Sequence, residues 1–138
     1  MKAVFDSNVI LDVLLNRKPF VDFSAKALAL AETGVVTGCV TSSMVTDLYY
    51  ILYRSLRDSV QVRRLILRLL DIIVIIDTTG KDVRKAFALP MADYEDALVA
   101  QCAKRAKAQC IVTRNVADFS GSPVSANLPE DFIRLYAP

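Results

Sequence analysis

The chain has no histidine. That absence removes Ser-His-Asp and Cys-His catalysis, the usual zinc sites and imidazole acid–base chemistry. An enzyme built on this sequence has to work with carboxylates. Cysteine is scarce. Cys39, Cys102 and Cys110 stand far apart, match no metal-ligand spacing and, being three, make no even-numbered disulfide set. They are expected to be reduced and buried, as in a cytosolic protein. No clean apolar run reaches the roughly 20 residues a membrane helix needs. The longest, Leu65 to Ile76, is broken by Arg68 and Asp71, so no membrane association is expected. Met1-Lys2 leads straight into a strand-like run, which is not the pattern of a secretory signal, and a cytoplasmic location is the expectation. The net charge is only +2. Bulk electrostatics therefore do not announce a nucleic-acid binder, although local clusters still count.

What is present is apolar residue in quantity: 54% of 138 residues, ample for the core of one domain spanning 1–138. Strand-like and helix-like stretches alternate. Lys2 to Phe5 reads as a strand, followed by a helix over Asn8 to Leu15 that Ser7 or Asn8 can cap. A helix over Phe20 to Glu32 closes at Thr33-Gly34. Val35 to Thr41 reads as a second strand, and Ser42-Ser43 can cap a helix to about Arg57. Asp58-Ser59 restarts a helix through Leu70. The β-branched run Ile72 to Ile76 reads as a buried third strand. A short helix over Thr79 to Leu89 and an alanine-rich one from Asp93 to about Ala108 precede a fourth strand, Cys110 to Thr113. A short fifth strand at Pro123 to Ser125 and a last helix near Pro129 to Leu135 complete the chain. This alternation, with strands as uninterrupted hydrophobic runs, predicts an α/β fold with a central parallel sheet of four to five strands covered on both faces.

In such sheets ligands bind beyond the carboxyl ends of the strands. Four segments place acids or amides there. Asp6 follows the first strand directly. Asp47 lies early in the helix after the second, bordering the apolar side made by Met44, Leu48, Ile51 and Leu52. Asp93-Tyr94-Glu95-Asp96 opens the helix before the fourth strand. Asp93 is a natural N-cap, Glu95 points toward the buried side, and Asp96 lies at its margin. Thr113, Asn115 and Asp118 follow the fourth strand. Each alone is explained by a turn or a cap. Together they make a carboxylate cluster whose members repel one another unless a cation neutralises them. An oxygen-rich, histidine-free set suits Mg2+ or Mn2+, and such an ion can activate water and orient a phosphodiester.

Val4-Phe5-Asp6-Ser7-Asn8-Val9-Ile10-Leu11-Asp12, Asp93-Tyr94-Glu95-Asp96-Ala97-Leu98-Val99-Ala100 and Ile111-Val112-Thr113-Arg114-Asn115-Val116-Ala117-Asp118-Phe119 resemble, in order and spacing, the PIN-domain ribonucleases. These include the toxin halves of VapBC-type toxin–antitoxin pairs. The resemblance runs from Lys2 to about Phe132. It implies a three-layer α/β/α fold and an Mg2+- or Mn2+-dependent endoribonuclease. It makes Asp6, Asp96 and Asp118 the metal-binding acids, with Asn8, Asp93, Glu95, Thr113 and Asn115 lining the site. A type II toxin with an antitoxin partner is likewise implied, and a homodimer is expected. One departure stands out: the family usually has a glutamate on the helix after the second strand, where this chain offers Asp47, one methylene shorter.

Arg114, between two candidate site residues, is the basic side chain best placed to touch RNA. Arg17-Lys18, Arg54, Arg57, Arg63-Arg64 and Lys104-Arg105 are further basic candidates against a background of solvated helix faces. The helices over Phe20–Glu32 and Ser43–Leu56 are apolar enough for a dimer face or an antitoxin groove. A haloacid-dehalogenase-type phosphatase needs a second acid two residues after the first, and Asn8 cannot donate that proton. A receiver domain needs paired acids that are missing. A catalytically weak PIN-fold module that binds RNA or protein is the other reading, and Asp47 is its main support.

Overall fold

The computed structural model describes residues 1–138. Its elements are β1 (Lys2–Phe5), α1 (Ser7–Leu14), α2 (Val21–Glu32), β2 (Thr37–Thr41), α3 (Ser42–Leu56), α4 (Ser59–Leu70), β3 (Val74–Ile76), α5 (Gly80–Ala86), α6 (Tyr94–Arg105), β4 (Cys110–Val112), a 3-10 turn (Val116–Phe119), β5 (Ser125–Asn127) and α7 (Pro129–Tyr136). The sheet runs β3-β2-β1-β4-β5, and every neighbouring pair is parallel. Parallel neighbours need crossover connections, and the helices that make them cover both faces of the sheet. The α/β/α expectation is met.

β1 is the central strand of the sheet. Ala3, Val4 and Phe5 have no solvent exposure, as a strand covered on both faces demands. Phe5 packs edge-on against Phe132 of α7, ring centroids 5.8 Å apart. Gly38 of β2 belongs to the same core. A Cβ there would stand 2.6 Å from the Ala31 Cβ and 2.7 Å from the Ile73 Cδ1, so α2 reaches the sheet only because the side chain is missing. The three cysteines are free and buried, as expected.

Several boundaries move. The third strand is shorter than Ile72–Ile76, and it is an edge strand rather than a buried one. Ile72 and Ile73 donate their backbone N–H groups to the Leu69 carbonyl, finishing α4 instead of extending. Val74 and Ile75 are 53% and 43% exposed, because no strand covers the outer side of β3. The fifth strand starts at Ser125 rather than Pro123. The Ser122 hydroxyl holds both the N–H and the carbonyl of Val124 in a turn, so pairing begins one residue later. α6 stops at Arg105, short of Ala108, where the chain turns through Lys107 at φ +61°.

Caps differ too. Asp6 itself caps α1, accepting from the Ser7 N–H. Ser42 and Ser43 do not cap α3; they bond Thr78 instead, which ties the end of β2 to the end of β3.

Order reverses at β1: β2 and β3 lie on one side of it, β4 and β5 on the other. The crevice expected at such a switch point lies beyond the carboxyl ends of β1 and β4. Phe5 and Val112 are paired in register there, so Asp6 and Thr113 leave the sheet side by side.

Candidate active site

Asp6 is buried, and three groups hold its carboxylate. Oδ1 accepts from the Ser7 N–H at 2.8 Å, and Oδ2 accepts from the Thr113 hydroxyl at 2.8 Å and from Asn8 Nδ2 at 3.3 Å. The Thr113 oxygen in turn accepts from the Asn115 N–H at 3.0 Å. Asn8 Oδ1 accepts from the Arg114 N–H at 3.2 Å. The loop after β4 is thereby fastened to the loop after β1, and Asn8 and Thr113 sit where the sequence places them, beside Asp6. Burial raises the Asp6 pKa. Thr113, Ser7 and Asn8 oppose that rise, and the charge of Asp118 adds to it.

Across the crevice α6 presents Asp96. Its backbone N–H donates to Asp93 Oδ1 at 3.0 Å, so Asp93 is the N-cap that the sequence predicts. Asp96 is half-buried and Glu95 exposed. This reverses the expected orientation of the pair, because α6 buries a wide face, Ala97 and Val99 to Ala103, whose centre falls nearer Asp96 than Glu95. The Asp96 carboxyl titrates near 7. Burial is the first cause, followed by the charges of Asp6, Asp93, Asp118 and Glu95, and none of these opposes the others.

Asp6, Asp47, Glu95 and Asp96 line one cleft of about 240 Å3, with Ser43, Met44, Leu98 and Val99. Asp47 therefore reaches the cleft from α3, although it is exposed. Asp118 and Asn115 are exposed at the 3-10 turn beside it. The charge of Asp118 is felt at both Asp6 and Asp96. Four segments distant in sequence thus meet at one sheet edge. No three of these carboxylates converge tightly enough to form a ready-made cation cage.

Arg114 does not line this cleft. Its Nε donates to Asp12 Oδ2 at 2.7 Å and its Nη2 to Asp12 Oδ1 at 3.2 Å, and the guanidinium lies 3.9 Å over the Phe20 ring. Asp12 has no solvent exposure and also takes the Ser24 hydroxyl at 3.0 Å, with Arg17 at 3.9 Å. A buried carboxylate is costly unless paired, so this cluster locks Arg114 and, through its backbone, Asn8. Sequence reasoning gave Asp12 no role. The available signal was an acid inside the apolar run Val9 to Leu15 of α1.

A sequence profile described as "PIN domain" matches residues 2–117. The chain belongs to the PIN domain family. Several solved structures share the fold. VapBC2 from Rickettsia felis, bound to a DNA fragment from its promoter, superposes with TM-score 0.72 at 22% identity over 93% of this chain and 98% of that one. A toxin–antitoxin complex from Klebsiella pneumoniae gives 0.68 at 18%, over 92% and 97%. FitAcB from Neisseria gonorrhoeae gives 0.65 at 18%, over 93% and 98%. No curated protein matches the sequence. The PIN family resemblance expected from the motifs is thus met by the family profile and by the fold.

Proposed function

We propose that the chain is a divalent-cation-dependent endoribonuclease and the toxin of a type II toxin–antitoxin pair. The observation that carries the reading is the meeting of Asp6, Asp47 and Asp96 on one cleft, where burial first and then the charges of Asp6, Asp93, Asp118 and Glu95 push the Asp96 carboxyl up to about 7. Such repulsion invites a cation. The donor set is all oxygen, which suits Mg2+ or Mn2+. Magnesium keeps several waters and takes one or two carboxylates, so an open arrangement fits it better than a closed cage. Asp6, Asp96 and Asp118 would hold the ion, with Asp47 as a fourth acid. When bound, it supplies an activated water and neutralises phosphodiester charge.

The chain's own groups do the positioning. Thr113, Asn8 and the Ser7 N–H fix both oxygens of Asp6, so its orientation is set before substrate arrives. The Asp93 cap fixes the start of α6 and hence Asp96. Asn115, Glu95 and Asp93 line the approach. Arg114 acts through its bond with Asp12 as a positioning residue more readily than as an RNA contact. The reading of a catalytically weak binding module rests on Asp47 standing where a glutamate is usual. The place of Asp47 on the cleft wall weakens it.

The neighbours from Klebsiella and Rickettsia are toxin–antitoxin complexes, and an antitoxin segment is part of the proposal. The groove between α3 and α4, lined by Val45, Tyr49, Tyr50, Ile66 and Leu67, has the apolar character that an amphipathic helix requires. A homodimer and work in the cytoplasm belong to the same proposal; equilibrium sedimentation at several concentrations tests the dimer.

The function is tested by cleavage of labelled RNA with purified protein and Mn2+. Wild type should cut, and Asp6→Asn and Asp96→Asn should not. Equal cleavage by all three would assign the activity to a contaminant and end the proposal.

A further inference from the structure

A second cleft, of about 530 Å3, opens between the start of α5 and the end of α6, and no hydrophobic side chain lines it. Lys81, Lys85, Lys104 and Arg105 stand on its walls against one carboxylate, Asp82. Asp82 is fully buried and already engaged. Arg105 Nε lies 3.0 and 2.9 Å from its two oxygens, Gln101 Nε2 is 3.4 Å from Oδ1, and the Thr79 N–H donates to Oδ2 at 3.0 Å. Arg105 also donates to the Asp77 carbonyl. Asp82 therefore neutralises Arg105 and holds it in place. The three lysines are exposed and join no salt bridge.

This cleft adjoins the acidic one. Thr79 lies on its wall, and Thr78 accepts the Ser43 N–H at 3.3 Å, while Ser43 lines the acidic cleft. Thr78 thus links the two clefts through Thr79 on one side and Ser43 on the other. An acidic centre repels a polyanion, so a polynucleotide whose scissile bond lies there needs cations within a nucleotide or two. Ammonium groups on flexible stems, set on two elements, present several compact point charges with rotatable donors that can follow the spread charge of a phosphate backbone. An all-polar wall offers nothing to an apolar ligand.

We propose that the α5–α6 cleft is a phosphate-binding subsite in which Lys81, Lys85 and Lys104 hold the backbone of single-stranded RNA beside the acidic cleft. The inference rests on the ribonuclease reading for the identity of the strand.

The test is fluorescence anisotropy of a labelled single-stranded oligoribonucleotide, across a salt series, on Asp6→Asn protein so that the ligand survives. In that background Lys81→Gln/Lys85→Gln/Lys104→Gln is compared with Lys26→Gln/Arg68→Gln/Arg134→Gln on α2, α4 and α7, three exposed cations whose loss removes the same charge elsewhere. At about 0.7 per phosphate contact on a single strand, the lysine variant should flatten the log K against log salt slope by about 2, and the control variant should not. In otherwise wild-type protein, the lysine changes should raise KM for RNA and leave kcat unaltered. Equal slopes for the two triple variants overturn the subsite. Lysine-dependent binding of inorganic phosphate that the oligoribonucleotide cannot displace overturns its assignment to a strand. Cleavage without lysine-dependent binding removes the subsite and leaves the ribonuclease reading standing. Lysine-dependent binding of the strand without cleavage does the reverse.

Discussion

Replacing Asp96 with asparagine should stabilise the metal-free protein while abolishing its proposed activity. The carboxyl titrates near 7 instead of 3.8, through burial first and then the charges of Asp6, Asp93, Asp118 and Glu95. The folded value lies above the unfolded one, so the folded chain keeps a proton that the unfolded chain has lost. Stability is then full below about pH 4, falls as pH rises toward 7, and stays low above it. Roughly 3 units at about 1.4 kcal/mol each set a ceiling near 4 kcal/mol. Asp96 keeps some contact with water, and screening brings the working figure to about 2 kcal/mol. At about 2.1 cal/mol/K per residue, a chain of this length has an unfolding entropy of about 290 cal/mol/K, so about 2 kcal/mol corresponds to ~7 °C in Tm. Asparagine does not titrate. Thermal unfolding followed by circular dichroism in EDTA should show the variant melting higher by this amount at pH 8 and level with wild type near pH 4. A lower Tm for the variant at pH 8, or a difference that ignores pH, would refute the reasoning.

Other perturbations have equally definite signs. For Asp82, burial pushes the pKa up, but the Thr79 N–H, Arg105, the Thr79 hydroxyl and Gln101 outweigh it and bring it to about 2. Its contribution is present above about pH 4 and lost as pH falls through 2. Asp82→Asn should cost about 2.5 kcal/mol in urea unfolding at pH 7, converted at about 1.4 kcal/mol per unit, and nearly nothing at pH 2. Arg114→Met leaves Asp12 buried beside only Ser24 and a distant Arg17, and should cost about 3 kcal/mol. Adding Asp12→Leu should restore part of that loss in a double-mutant cycle, and strict additivity would deny the coupling. Asp47→Asn should slow RNA cleavage and leave Tm within a degree or two, because the side chain is exposed; unaltered cleavage would remove Asp47 from the site.

Why the convergence of the candidate residues was readable before the fold is clear from particular residues. Asp6, Asp96 and Thr113 stand at strand or helix ends, and a parallel sheet brings such ends to one edge whatever the details of packing. Asp93 as a cap follows from local chemistry alone. What local patterns do not carry is orientation and partnership. Glu95 and Asp96 differ by one helical step, and which of them turns inward depends on how much of α6 is buried. Arg114 looked like an RNA contact because its neighbours are site residues. Its partner, Asp12, lies about a hundred residues away in a helix, and no local pattern announces that pair. The third strand looked buried because Ile72 to Ile76 are all apolar. Apolar composition does not say whether a strand has a neighbour on both sides.

The central claim is that the acids after β1, in α3, in α6 and after β4 form one cation site. Electron paramagnetic resonance of free Mn2+ during titration with protein counts that site directly. Wild type should remove Mn2+ from solution saturably, Asp6→Asn and Asp96→Asn should remove far less, and Asp82→Asn should behave as wild type. No saturable uptake by wild type, or uptake unchanged by the Asp6 and Asp96 substitutions, would contradict the account.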